Sequence, residues 1–190
     1  MNHFFAYINR MRFIQRWALM RNSYSENIQE HSHQVAVLAH ALAVLRNGYF
    51  GGQVDAGQVA AAALYHDAAE ILTGDMPTPI KYYNPDIRDA YKNVERVAER
   101  KLLDMLPPEL RPSYEELLRP ADPEVETLVK AADKLAAHIK CLEELKAGND
   151  EFRRAAQQTA AALDEMDLPE LRYFREYFLP SYRLTLDELE

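Results

Sequence analysis

Apolar residues recur three and four positions apart along most of this chain, and no convincing period-two alternation interrupts them. Phe4, Ile8, Met11 and Ile14 open the series in a first segment. A second helix is predicted to start near Asn27, where Glu30, three residues on, completes a capping-box pattern. Its stripe runs through Val35, Leu38, Leu42 and Leu45 to a stop at Asn47-Gly48. Asp55 is placed to cap a third helix ending near Leu72, and the proline- and glycine-bearing stretch 73–79 reads as a rigid break. A long helix after Pro85 puts Ile87, Ala90, Val94, Val97 and Met105 on one side and ends at Pro107-Pro108. A short helix over 109–118 follows. Val125, Leu128, Ala132, Leu135, Ile139 and Leu142 then mark a strong helix that stops at Gly148-Asn149. One or two more helices fill 151–178, broken near Pro169. The pattern predicts an all-α fold, with one helical domain over 1–190 and no internal repeat or linker.

Composition narrows the class of function. A net charge of −8 argues against binding nucleic acid, since neutralising a phosphate backbone needs a basic face. No apolar run approaches the ~18–20 residues of a membrane span. In the N-terminal segment Arg10, Arg12 and Arg16 interrupt any signal-peptide core. One cysteine, Cys141, permits no internal disulfide and no thiolate metal cluster. Its expected role is that of a small buried helix residue. These features together predict a cytoplasmic protein.

Candidate chemistry concentrates in a few polar residues beside the apolar stripes. His31 precedes Val35 by four and Leu38 by seven, so it shares their helix face. His66 and Asp67 follow Ala60, Ala63 and Leu64 near the end of the third helix, and Asp133 borders the stripe of its own helix. Such groups are costly to bury singly, but a shared divalent cation satisfies them together. Imidazole with carboxylate suits Mn, Co, Fe, Zn or Mg rather than a soft-ligand metal. Glu70 lies four residues after His66 and therefore faces the same side, as expected of a proton-transfer group. His33 and His40 rotate ~160–200° away from His31, and His138 turns away from Asp133, which favours one metal over two.

Glu30-His31-Ser32, His66-Asp67 and Asp133 in KAADKLAA together resemble the HD-domain metal-dependent phosphohydrolases. The resemblance is closer to the bacterial HD-domain 5′-deoxynucleotidases. It rests on QRWALMRN around Arg16 and Trp17, NIQEHSHQVA, YHDAAEILTGDMPTPIKYYN and KAADKLAAHIKCLEEL, and covers nearly the whole chain. It implies a helical bundle with one divalent ion, Co, Mn or similar, held by His31, His66, Asp67 and Asp133. It also implies a substrate pocket from Arg16, Trp17 and the segment Asp75-Met76-Pro77-Thr78, with His31, Asp67 and Asp133 bordering it. The family segment commonly reads DLPT, and Met76 is a volume-conserving departure from it. A homodimer is implied as well, with Tyr173, Phe174, Tyr177 and Phe178 suited either to that interface or to the protein's own core.

Individual roles follow from side-chain chemistry. Arg16 offers a fork of donors matched to phosphate, Trp17 a flat wall for a sugar or base. Asp75 can accept a hydrogen bond from a deoxyribose 3′-hydroxyl. The expected reaction is hydrolysis of deoxyribonucleoside 5′-monophosphates, with Arg16, Asp67 and Glu70 as catalytic residues. Two rivals stand beside it. One is a different HD hydrolase, acting on deoxynucleoside triphosphates or guanosine tetraphosphate, although no extra Lys/Arg cluster flanks the motifs. The other is a non-catalytic domain that senses nucleotides.

Overall fold

The computed structural model describes residues 1–81 and 83–189, with Thr78 described for its backbone alone. Ten α-helices and four short 3₁₀ segments make up the described residues, and no strand occurs among them. Helix α1 spans Phe4–Ile8 and passes into a 3₁₀ segment, Asn9–Phe13. Helices α2, Ile28–Tyr49, and α3, Ala56–Tyr65, precede two single-turn pieces, α4, Glu70–Thr73, and α5, Thr78–Lys81. Helices α6, Pro85–Asp104, and α7, Arg111–Leu118, lead to α8, Pro123–Lys146. Helices α9, Arg153–Asp164, and α10, Pro169–Tyr177, complete the bundle.

Helices α2, α3 and α8 form the centre. Val35, Leu42, Val59, Leu128, Leu135 and Ile139 meet there with no exposed surface. Leu171 and Phe174 of α10 join the same core. A second cluster gathers Phe4, Ala68, Leu102, Leu106 and Leu118, fastening α1, α6 and α7 to the turn after α3. A third, smaller one places Cys141, Phe152 and Ala156 beneath Trp17 and Met20. Cys141 is buried and free, as its helix position predicts.

The capping box at Asn27 forms as the sequence indicates: its side chain accepts from the Gln29 and Glu30 amides, and Glu30 reaches back to the Asn27 amide. That fixes the first turn of α2, on which His31 stands. Helix α2 ends at Tyr49, one residue beyond the predicted stop at Asn47-Gly48. The Asn47 side chain pairs with both backbone groups of Val54, at 2.8 and 3.0 Å, and folds the following loop back onto α2. On α6 the buried residues are Tyr91, Ala98 and Leu102, while Val94 and Val97 are about half exposed. Leu102 packs into the small cluster around Phe4, and Tyr91 meets Thr73 and the Gly74 carbonyl, so the cover lies on their side rather than over the valine stripe.

The third predicted helix does not run unbroken to Leu72. It ends at Tyr65, and tight i→i+3 hydrogen bonds from Ala68 to Tyr65 and from Glu70 to Asp67 carry the chain round before α4. The break lies at His66-Asp67. In the later loop, Gly74 adopts φ +75°, a left-handed conformation natural to glycine. Its carbonyl accepts from the hydroxyls of Thr73, at 3.0 Å, and Tyr91, at 3.1 Å, fixing the turn that presents Asp75. Thr78 opens a helical turn rather than closing the rigid break.

Candidate metal centre

Three parts of the bundle deliver their polar groups to one point. His31 comes from the first turn of α2 and has no exposed surface; Asp133 comes from the middle of α8. His66 and Asp67 come from the turn between α3 and α4. Neighbouring residues on a regular helix point ~100° apart, so an uninterrupted α3 aims only one of this pair inward. The break lets both face the cluster.

The distances are short. His31 Nε2 lies 3.0 Å from Asp133 Oδ1 and 3.6 Å from Asp67 Oδ2. His66 Nε2 lies 3.2 Å from Asp67 Oδ2 and 3.9 Å from Asp133 Oδ1. One ligand atom from each of His31, His66 and Asp133 falls within a 4.8 Å group. His66 Nδ1 sits 2.7 Å from the Ala63 carbonyl, which places a ring proton on that nitrogen and turns Nε2 toward the carboxylates. His66 Nε2 is buried and has no hydrogen-bond partner. An orphaned, inward-facing imidazole nitrogen beside two carboxylates is a donor set that suits a divalent cation, and His31, His66 and Asp133 stand close enough together to hold one.

Electrostatics agree with the geometry. Burial opposes charge on His66, yet Asp67 and Asp133 outweigh it and raise the imidazole pKa to about 9. Burial also opposes charge on Asp67 and Asp133, but His66, His31 and Arg16 depress the first far below the carboxylate range, and His31 with His66 holds the second at about 2. A clustered site of this kind binds protons wherever it lacks a cation.

Arg16 stands at the edge of the cluster. Its Nε donates to Glu26 Oε2 at 3.0 Å, and its Nη1 to Asp67 Oδ2 at 3.3 Å. Trp17 does not stand open as a free wall: its ring packs 5.3 Å from that of Phe152, and its indole N–H donates to Glu26 Oε2. Its backbone takes φ +58°, an uncommon conformation for a bulky residue and one typical of functional sites. Glu70 is buried on the first turn of α4; desolvation first, then Asp67 and Asp75, push its carboxyl up to about 10. Asp75 is also raised by burial, partly offset by Arg16. Met76 and Pro77 are half-buried beside it, and the Thr78 side chain lies outside the described residues. His33 and His40 are exposed, and His138 pairs with Thr159 at 2.9 Å, away from the cluster.

Sequence reasoning did not nominate Glu26 or the staple behind it. Glu144 is wholly buried and accepts from the Ser23 amide (2.8 Å), the Tyr24 amide (3.2 Å), Asn149 Nδ2 (2.8 Å) and Lys140 Nζ. Lys140 also donates to the Tyr24 carbonyl. These contacts clamp 21–24 onto the end of α8. The one readable signal is the i,i+4 spacing of Lys140 and Glu144, which elsewhere marks an exposed ion pair.

A helical bundle enclosing two histidines and two aspartates in this order defines an HD-domain phosphohydrolase. The fold agrees with that class: an HD-domain phosphohydrolase from Listeria innocua superposes with a TM-score of 0.82 at 22% identity, covering 95% of this chain and 88% of that one. A cyanophage S-2L HD phosphohydrolase, solved with dA and one catalytic zinc ion, gives 0.64 at 25% identity over 93% and 96%. Within the class, residues 3–182 match the family described as 5'-deoxynucleotidase YfbR-like, and the chain belongs to that family. A 5'-deoxynucleotidase of Vibrio cholerae is 53% identical, covering 99% of this chain and 98% of its own length. The 5'-deoxynucleotidase YfbR of Escherichia coli is 50% identical over 99% and 96%.

Metal uptake should depend on pH through His66. A cation must displace the His66 proton wherever the pH lies below about 9. Apparent affinity for Mn or Co, measured by calorimetric titration, is expected to climb up to ~tenfold per pH unit between roughly pH 6 and 8, and to level off above that pKa. Without metal, the raised pKa stabilises the fold fully below 6.5, the ordinary histidine value, and that share is lost as pH rises through about 9. Uptake independent of pH contradicts the assignment.

Proposed function

We propose that this protein is a metal-dependent 5′-deoxynucleotidase, hydrolysing deoxyribonucleoside 5′-monophosphates to the deoxynucleoside and inorganic phosphate. The observation that carries the reading is Arg16: its Nη1 stands 3.3 Å from Asp67, so a forked phosphate-binding cation borders the His/Asp cluster. Membership of the family supports the deoxynucleotide substrate. The fold supports a single HD domain over 1–190, since α10 packs into the same core as α2.

His31, His66, Asp67 and Asp133 would hold one divalent ion, Co, Mn or similar, which supplies charge neutralisation at phosphoryl oxygens and a water of lowered pKa. The chain's own residues do the rest. Arg16 takes phosphate oxygens on the Nη side that Glu26 leaves available. Glu70, whose burial keeps a proton on its carboxyl, delivers that proton to the leaving 5′-oxygen. Asp75 accepts from the 3′-hydroxyl, while Met76 and Pro77 bound the sugar. Catalysis then rests mainly on orientation and fixed charge.

Other substrates fit less well. The charged groups acting most on Arg16 are the carboxylates Asp67, Asp133, Glu26 and Asp75, while Lys81 is a second cation that acts on Glu70 and Asp75. A triphosphate would need more positive charge than these two supply. A sensing domain, for its part, has no need of a buried protonated Glu70.

Family resemblance also supports a homodimer working in the cytoplasm. Tyr49 (66%), Tyr177 (59%), Phe178 (46%) and Phe50 (40%) are exposed together around half-buried Tyr173, whereas Phe174 is core. We place the dimer contact on that face. Sedimentation should give twice the chain mass for the native protein and a monomer for Tyr177→Glu/Phe178→Glu; a native monomer refutes the dimer.

With Co or Mn, phosphate release is expected to be faster from deoxyribo- than from matched ribonucleoside monophosphates. Glu70→Gln should keep its metal and lose ~10²–10⁴-fold in kcat. His66→Ala should lose the metal itself. Release of tripolyphosphate from triphosphates in preference to phosphate from monophosphates sinks the reading.

A further inference from the structure

We propose that Glu26 is a positioning residue for the substrate phosphate, acting through Arg16 and Trp17; this rests on the function proposed above. One oxygen, Glu26 Oε2, accepts both from Arg16 Nε and from Trp17 Nε1, each at 3.0 Å. The pair it holds is thus tied to a single atom. Both partners are largely enclosed, with side-chain exposures of 12% for Arg16 and 11% for Glu26.

The backbone reinforces the clamp. The Arg16 amide donates to the Glu26 carbonyl at 2.9 Å, and the Ile28 amide to the Ile14 carbonyl at 3.0 Å, around an antiparallel bridge between Gln15 and Asn27. Residues 14–16 and 26–28 therefore form a two-sided strap. Its far end is pinned to α8 by Glu144, Lys140 and Asn149. Trp17, held at φ +58°, has little freedom to follow any other arrangement.

This geometry divides the guanidinium. A free arginine presents two bidentate edges to an anion, Nε with one Nη or the two Nη groups. Glu26 occupies Nε, so only the Nη edge, which already reaches Asp67, is left for phosphate. Glu26 also carries a charge that offsets Arg16 before substrate arrives. It thereby fixes the direction from which the phosphate is gripped relative to the metal ligands. The same oxygen holds the Trp17 indole, so the positions of Arg16 and Trp17 are tied to one atom.

Trp17 is the only tryptophan of the chain, so its emission reports on this clamp without any need for turnover. The test is titration of inorganic phosphate into Mn-loaded protein, followed by Trp17 fluorescence, for the native chain, Glu26→Gln, Glu26→Asp, Arg16→Ala and Arg16→Ala/Glu26→Gln. Glu26→Gln keeps the shape, loses the charge, and is expected to weaken phosphate binding about tenfold. It should raise KM for the monophosphate more than it lowers kcat, with metal content unchanged. Glu26→Asp keeps the charge and should recover part of the affinity. In the Arg16→Ala background, Glu26→Gln should add less than about twofold, since its route to the phosphate is gone.

Native phosphate affinity in Glu26→Gln overturns the proposal, as does an equal loss with and without Arg16. A native protein that binds phosphate but releases none from any monophosphate overturns the nucleotidase reading instead. The dependence of phosphate binding on Glu26 then still decides the clamp.

Discussion

Placing two imidazoles and two carboxylates within a few ångströms inside a helical bundle is the constraint on which the rest of the structure depends. Isolated, each group would resist burial. Together they compensate in part: His66 is driven toward the imidazolium and Asp67 and Asp133 toward the carboxylate. Two imidazole nitrogens, His31 Nδ1 and His66 Nε2, nonetheless remain buried without a hydrogen-bond partner. A bundle that folds around such a cluster retains it for a cation.

Much of the architecture serves that convergence. The capping box at Asn27 fixes the start of α2 and hence the depth of His31. Continuous apolar packing of α2 against α8 sets the span that brings His31 Nε2 to 3.0 Å from Asp133. The interruption after Tyr65 turns a helix that would have carried one ligand into a bend that carries two adjacent ones. Outward from the metal ligands, Arg16 links to Asp67 and Glu26, and Glu144 holds the intervening loop. The site is thus layered, with acidic groups orienting the Arg16 guanidinium.

The helices and the ligand residues were legible in the chain because both depend on local rules. Apolar period, N-caps and proline breaks are written in consecutive residues, as Asn27, Asp55 and Asp122 show by capping the helices that follow them. His31 and Asp133 announced themselves by lying on core-facing sides. What stayed illegible depends on tertiary contact. The break at His66-Asp67 has no proline or glycine to mark it, and the return of the loop after α2 depends on the Asn47 side chain bonding to Val54. The buried face of α6 is set by the cluster around Phe4, which takes Leu102, and by the turn at Thr73-Gly74, which takes Tyr91, not by its valines. Glu26 carries no motif at all; its meaning arises only when the strap closes.

The central claim is that one divalent ion completes the four-residue cluster, and X-ray absorption of the cobalt- or manganese-loaded protein tests it most directly. The account predicts one ion per chain, with two imidazole nitrogens and the remaining positions filled by oxygen, and loss of one imidazole from the spectrum in His31→Gln. A spectrum without imidazole scattering, or with a second metal at short range, would contradict it.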